Sequence, residues 1–335
     1  MRKVMKKAFV LLIVLSLILM LFGCAQKNDD SESLIKSSSV SDTLSSSQDT
    51  IGAWEKVSLG ENSGGVNTLV TDKLIAYNSG SVFVSVDGRT FNKVLERDGA
   101  AFASLYAAGS KYIMTTADSR WYLWMSDNGI DYTLHTDNMG YYYGMNGITY
   151  AEGKYIGTDS SGGLYLSDDG LTWSTHKVNQ LSFFLDDTLY QLVYSNGKYY
   201  GMMGSALAIA SNISEWKTIK PDLPHGCTMT SLVVNGDTVL VSTYNPNNLY
   251  ILEGEALIKV EDIPAGYYNK LVFSDGFYAL RSNGAVYYSE SGVNWNELFA
   301  SPADVNQLFH SMEIFNGSIY LFDEKGTVYS RSLTD

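Results

Sequence analysis

The chain has few cysteines, prolines, histidines and arginines, and no excess of positive charge. Its 335 residues include 2 Cys, 5 Pro and 4 His, with 36 acidic against 23 basic side chains for a formal charge of −13. Two cysteines cannot build a disulfide framework. An acidic balance argues against nucleic-acid binding, which needs a basic stripe to neutralise phosphates. With only six arginines, there is little material for anion clamps. No phosphate loop, GxSxG elbow or dinucleotide fingerprint occurs. What is present is 45% hydrophobic residues, 30 Gly, 24 Tyr and 6 Trp. That supports a large core and excludes wholesale disorder. High Tyr and Gly with little Pro points to an all-β chain of short strands and tight turns.

The N-terminus reads as an address. Arg2, Lys3, Lys6 and Lys7 precede a 15-residue apolar run from Ala8 to Phe22, broken only by Ser16. This is short for a membrane span and right for a signal-peptide core. The run ends in Leu21-Phe22-Gly23-Cys24, which resembles a bacterial lipoprotein signal. The resemblance implies cleavage after residue 23, lipidation of Cys24 (palmitate among the acyl chains) and a lipid-anchored protein on the extracytoplasmic side of the cell membrane. Cleavage would remove four positive charges and take the formal charge from −13 to −17. With Cys24 acylated, Cys227 has no disulfide partner. Residues 24–50 read as a disordered tether, since nine of the twenty residues from Ser31 to Thr50 are serine. As a flexible coil it spans about 28 Å r.m.s.. The Lys-over-Arg bias and Tyr richness point to a Gram-positive, low-GC source.

From residue 51 onward the chain repeats. One turn occurs as Ser85-Val86-Asp87-Gly88-Arg89-Thr90-Phe91, as Ser126-Asp127-Asn128-Gly129-Ile130-Asp131-Tyr132, as Ser167-Asp168-Asp169-Gly170-Leu171-Thr172-Trp173 and as Ser289-Glu290-Ser291-Gly292-Val293-Asn294-Trp295, with a worn copy at Ser211–Trp216. The Asp, Asn or Ser at the third position can accept hydrogen bonds from following backbone N–H groups. The glycine permits positive φ, and the closing aromatic covers the hairpin. Matching positions Trp54, Phe91, Tyr132, Trp173, Trp216, Leu257 and Trp295 are spaced by 37, 41, 41, 43, 41 and 38 residues, a period suited to four-stranded blades. A second Gly turn lies inside each unit, as in Tyr150-Ala151-Glu152-Gly153-Lys154-Tyr155. The unit is therefore strand A, Gly turn, strand B, loop, strand C, Asp turn, strand D. A–B–C triplets begin near Val66, Ala101, Tyr143, Leu189, Thr228, Tyr268 and Leu308. The last triplet lacks a D strand, while Trp54-Glu55-Lys56-Val57 is a D strand without a blade. Pairing the two predicts a seven-bladed β-propeller over residues 51–335, closed by its N-terminal strand.

The recurring turn resembles the Asp-box, or BNR repeat, of sialidase-like β-propellers. With the lipid signal, the chain also resembles propeller lipoproteins similar to photosystem II assembly factors. Those use a basic arginine patch that this acidic chain lacks, so their partner does not carry over. Sialidase chemistry implies a Phe/Tyr-Arg-Ile-Pro segment and three arginines around a carboxylate. No Arg-Ile-Pro occurs, and of Arg89, Arg97, Arg120, Arg281 and Arg331 only Arg120 and Arg281 fall in B–C loops. A glycosidase would need two carboxylates about 5–10 Å apart. Asp118, Asp159, Asp323 and Glu324 sit in B–C loops and read as solvated loop acids. His135 and His176 are one repeat apart, an echo of the period and not ligand spacing. Cys227 reads as a buried inert thiol, although His225 lies two residues away. No metal or cofactor is expected.

A ligand is expected on the face built by D–A and B–C loops, around the channel mouth, by analogy of fold. Aromatics are dense there: Tyr141 to Tyr143, Phe183-Phe184, Tyr267-Tyr268 and Phe309-His310. The candidate ligand-binding residues are Arg120, Trp121, Tyr141, Tyr143, Phe183, Tyr244, Tyr267 and Arg281. Amphipathic aromatic edges suit sugar rings or protein hot spots. The expectation is a non-enzymatic binding or scaffold protein for a cell-wall glycan or an extracytoplasmic protein. A glycoside hydrolase or lyase of the sialidase-like superfamily is the alternative.

Overall fold

The computed structural model describes residues 53–59, 65–96, 101–116, 123–135, 145–159, 163–176, 189–220, 227–302 and 307–334. The signal segment, the tether and Cys24 lie outside them. The described residues form seven four-stranded antiparallel sheets, so the chain folds as a seven-bladed β-propeller. The triplets begin where the repeat places them, with A strands at Asn67–Val70, Phe102–Ala108, Met145–Ala151, Leu189–Ser195, Thr228–Asn235, Tyr268–Phe273 and Phe309–Phe315. Each sheet runs A–B–C–D in chain order except the last. There Glu55–Ser58 supplies the D strand beside Thr327–Ser332, with Glu55 opposite Ser330 and Ser58 opposite Thr327. Trp54 lies edge-on to Phe299 at 5.7 Å, and the Arg331 guanidinium stacks over both rings.

Burial follows position in the blade. A strands of neighbouring blades contact one another around the ring, which makes them the channel wall. B strands such as Lys111–Thr116 are buried on both faces because blades stack face to face, whereas D strands such as Thr133–His135 are largely exposed. The apolar clusters therefore straddle blades. Ala151, Ile156 and Leu164 of the third blade pack with Leu189, Leu192, Tyr199 and Trp216 of the fourth.

The recurring turns show why their residue types recur. Ser85 Oγ accepts the Gly88 N–H at 2.9 Å, and Asp87 Oδ1 accepts the Arg89 and Thr90 N–H groups at 2.8 Å each. Ser126 with Asn128 and Ser167 with Asp169 repeat this pattern. In the sixth blade Ser289 accepts Gly292 N–H at 2.8 Å, but the shorter Ser291 side chain reaches Val293 N–H only at 3.4 Å. The indoles of Trp173 and Trp295 donate to the Gly170 and Gly292 carbonyls. In the worn copy Trp216 donates to Ile213 O instead. Phe91 and Tyr132 are half-buried and pack against neighbouring blades. Gly88 is doubly constrained: its φ is +74°, and a Cβ there would fall 1.9 Å from Tyr320 Oη.

These turns carry a pH dependence. Hydrogen bonds from the Thr90 and Arg89 backbone hold the Asp87 carboxyl at about 2, below its usual 3.8. The Thr172 and Leu171 backbone lowers Asp169 in the same way. A depressed folded value contributes stability that is complete above the unfolded value near 3.8 and is lost as pH falls through the folded one. Asp87→Asn with Asp169→Asn copies the amide that Asn128 already uses in the second blade. The double variant is expected to melt below the parent at pH 7, because a neutral amide accepts these bonds less strongly than a carboxylate, and to lose stability less steeply between about pH 4 and pH 2. An unchanged acid slope in circular-dichroism melts would contradict this role.

Candidate functional site at the loop end of the ring

Antiparallel meanders put the A–B and C–D turns at one end of the ring and the B–C and D–A loops at the other. The register shows this: Leu74, just after an A–B turn, pairs with Ser85, the first residue of a recurring turn. Glu55 and Ser332 lie at the A–B turn end, level with Ser330 and Ser318 respectively. The loop end is therefore opposite both described chain ends.

The structure brings three of the eight candidate residues together. Tyr244 ends strand B of the fifth blade (Thr238–Tyr244), Tyr267 precedes strand A of the sixth, and Arg281 ends its strand B (Phe277–Arg281). The Tyr244 and Tyr267 rings meet edge to face, 5.4 Å apart at 69°. Arg281 Nη2 donates to Ala265 O at 3.1 Å. Burial, and then the neighbouring Tyr244, push the Tyr267 phenol above its ordinary value. Arg120, Trp121, Tyr141, Tyr143 and Phe183 lie outside the described residues. Of the paired aromatics, Tyr268 and Phe309 are fully buried in the blade cores, while Tyr267 is half-buried and His310 is exposed. Strand alternation sends one member of each pair inward.

Two expectations change. Asp159 and Asp323 are not solvated loop acids but the last residues of B strands, with no exposed surface. Asp323 accepts the Lys325 and Thr327 N–H groups at 2.8 and 2.7 Å as well as the Gln307 amide. Asp159 accepts Gly163 N–H and the Tyr165 hydroxyl, each at 2.6 Å. Both acids cap their B–C loops, where backbone donors at the end of a sheet need acceptors. Cys227 is buried, and desolvation raises its thiol, while His225 lies outside the described residues. His135 and His176 occupy equivalent registers opposite Leu123 and Leu164, and His176 Nε2 meets Ser214 Oγ at 2.9 Å.

The channel wall holds a polar cluster that the repeat pattern does not show. Glu313, 6% exposed, lies 3.1 Å from Lys270 Nζ and accepts the Thr68 hydroxyl at 2.8 Å. Thr68 also meets Ser311 at 2.5 Å. These four residues come from strand A of the sixth, seventh and first blades. A register shift early in most A strands, as between Tyr268 and Lys270, frees side chains to bond the next blade. Asn269 bonds Phe309 O, Thr230 bonds Tyr268 O at 3.3 Å, and Gln191 clamps both the N–H and C=O of Leu232. Among the described residues, no group of three or more His, Cys, Asp or Glu converges as a metal site.

No family model and no curated protein matches the sequence. Solved structures do. YCF48 from Cyanidioschyzon merolae is similar at a TM-score of 0.65 and 14% identity, over 85% of this chain and 100% of that one. YCF48 bound to D1 peptide is similar at 0.65 and 12%, over 84% and 97%. A catalytically inactive virginiamycin B lyase from Staphylococcus aureus with quinupristin is similar at 0.66 and 10%, over 83% and 98%. At these identities the likeness establishes the seven-bladed β-propeller and nothing narrower.

Proposed function

We propose that the protein is a membrane-anchored, extracytoplasmic binding or scaffold lipoprotein whose partner docks on the loop end of the propeller. The observation that carries this reading is the Tyr244–Tyr267 pair. It is an aromatic pair bridging two blades, with Tyr244 54% exposed. Exposed aromatics of this kind act as anchors in interfaces. Of the loop-end acids, Asp159 and Asp323 are engaged as loop caps. This supports binding over glycoside hydrolysis or lyase chemistry. Propellers of the same fold include YCF48 in complex with D1 peptide, which makes a protein partner consistent with the architecture.

In this reading Cys24 carries the lipid, the Ser-rich segment is the tether, and the recurring turns are Asp-boxes with a purely structural role. The described chain enters the ring at the A–B turn end, opposite the proposed docking face. The anchor is tested by metabolic labelling with a clickable fatty acid and by membrane fractionation. Parent protein is expected to be labelled and membrane-bound, and Cys24→Ser unlabelled and released. Equal label in the variant would refute the anchor. The binding role is tested by assaying the purified protein on a panel of synthetic glycosides, where no turnover is expected. Turnover that survives purification, and is abolished by substituting a loop-end carboxylate, would favour the enzyme reading.

A further inference from the structure

The loop end has a described sector, between the fifth and sixth blades, whose chemistry narrows the partner. This step rests on the loop-end docking reading above. Three loops meet there, spanning 245–248, 260–267 and 282–285. Backbone hydrogen bonds join them: Gly266 N–H to Asn247 O at 3.3 Å and Ser282 N–H to Tyr267 O at 2.9 Å. The first loop is further fixed by the Thr243 hydroxyl on Pro246 O at 2.7 Å, and the third by Gly284 N–H on Arg281 O at 2.8 Å. On this base stands Tyr244, the most exposed aromatic ring among the described residues. Tyr267 packs against it in an edge-to-face pair, and Tyr244 keeps 54% of its surface open to solvent.

Around the ring are the exposed side-chain amides of Asn245, Asn247 and Asn283. Their geometry is directional. Asn247 Oδ1 accepts the Asn245 N–H at 3.4 Å, and Asn283 Oδ1 accepts the Ala285 N–H at 3.2 Å. The Asn247 and Asn283 oxygens are thus engaged by their own loops, and their amide N–H groups are free to donate to a ligand. The cations nearby are committed. Arg281 Nη2 bonds Ala265 O, and Lys259 pairs with Glu261 at 2.7 Å. The remaining charged side chain in the three loops is the exposed Asp262, which disfavours an anion. An aromatic face flanked by neutral amide donors, with acidic Glu261 and Asp262 in the same loops to offset Lys259 and Arg281, matches the C–H face and ring hydroxyls of an uncharged sugar. It does not match an acidic peptide or an anionic polymer, which would require a basic clamp.

We infer that Tyr244 stacks one unit of an uncharged saccharide, with Asn245, Asn247 and Asn283 hydrogen-bonding its hydroxyls. Isothermal titration of the full chain in detergent with neutral tetrasaccharides of the chitin, α-glucan, β-glucan and mannan types, and with anionic tetragalacturonate, tests it. At least one neutral tetramer is expected to bind. Its dissociation constant should rise about tenfold or more in Tyr244→Ala, as for an exposed aromatic anchor. It should stay within about threefold in Tyr244→Phe, which keeps the ring face, and be insensitive to about 0.5 M salt. Thermal melts of both variants should match the parent, because Tyr244 is exposed. The inference is overturned if no neutral tetramer binds, if Tyr244→Ala binds as well as the parent, or if tetragalacturonate binds more tightly. A parallel peptide-display screen separates the two readings. A peptide held by the parent and lost by Tyr244→Ala, with no sugar bound, sinks the saccharide and keeps the docking face; failure of both arms sinks both.

Discussion

A chain lacking residues 53–59 is expected to lose most of its stability and to associate through the edge it exposes. Those residues provide the strand Glu55–Ser58, whose four residues pair with Ser330 to Thr327. They also provide Leu59, 6% exposed, and Val57, both packed against Val66, Phe322 and Val328. Trp54 adds its contact with Phe299 and the stacked Arg331. Fully burying a side chain such as Leu59 contributes roughly 1.5–3 kcal/mol, and the half-buried Val57 and Trp54 contribute part of that each, besides the four lost strand pairings. Removing them together is thus of the order of the whole net stability of a domain, about 5–15 kcal/mol. The loss also leaves the hydrogen-bonding groups of Thr327–Ser332 unpaired, an open edge that templates association. Denaturant titration with size-exclusion chromatography checks this. The expected outcome is a shifted or absent cooperative transition with oligomers. A truncated chain that stays monomeric and equally stable would show that closure does not depend on this strand.

Lys270→Met is expected to destabilise by about 3 kcal/mol, and Glu313→Gln by markedly less. Both groups lie on the channel wall, and removing one partner of a buried pair costs about 3–5 kcal/mol because it strands an uncompensated charge. The two sides are unequal. Glu313 is almost wholly buried, whereas the Lys270 side chain is 27% exposed and can turn to water when its partner is lost. Glu313 keeps the Thr68 hydroxyl in the lysine variant, which places the estimate at the low end of the range. In Glu313→Gln the amide oxygen can keep accepting from Thr68, so the expected loss is about 1 kcal/mol. Lys270→Met with Glu313→Leu should recover part of the loss, since an apolar replacement of both partners removes the stranded charge. Urea denaturation of the parent, Lys270→Met, Glu313→Leu and their double variant as a double-mutant cycle reads the coupling, with Glu313→Gln measured beside them. Equal losses in Lys270→Met and Glu313→Gln, or strict additivity in the cycle, would show that the pair does not act as a unit.

The blades were readable because each is specified locally. The Ser, Asp or Asn, and Gly of each recurring turn bond only within a few residues, so their spacing survives as a pattern in the chain. The closing aromatic marks the start of strand D even where the turn has worn away, as at Trp216. Leu257, placed by context alone, lies in a strand D, Ala256–Lys259. Strand closure was readable for a counting reason, since one end had a D strand without a blade and the other a blade without a D strand.

The interior of the ring was not readable in the same way, because its contacts join different blades. Lys270 and Glu313 are a repeat apart and look like two ordinary surface charges. Only ring closure brings the A strands of the sixth, seventh and first blades together around Thr68. Asp159 and Asp323 looked like solvated acids because loop position was visible and loop curvature was not. The curvature folds Gly163, Lys325 and Thr327 N–H groups back onto the carboxylates. At the candidate site, Tyr244, Tyr267 and Arg281 were named separately. Their meeting depends on the hydrogen bonds between loops of adjacent blades, for which neither periodicity nor turn chemistry leaves a trace.

The closed ring is the frame that holds the loop-end site together, and native-state hydrogen exchange tests it most directly. The backbone amides of Glu55–Ser58 are expected to be protected to the same degree as those of Thr327–Ser332. Both segments should open together with the global unfolding of the ring, as members of one cooperative sheet. Exchange of residues 55–58 at unfolded-chain rates, while 327–332 remain protected, would contradict a propeller sealed by its N-terminal strand.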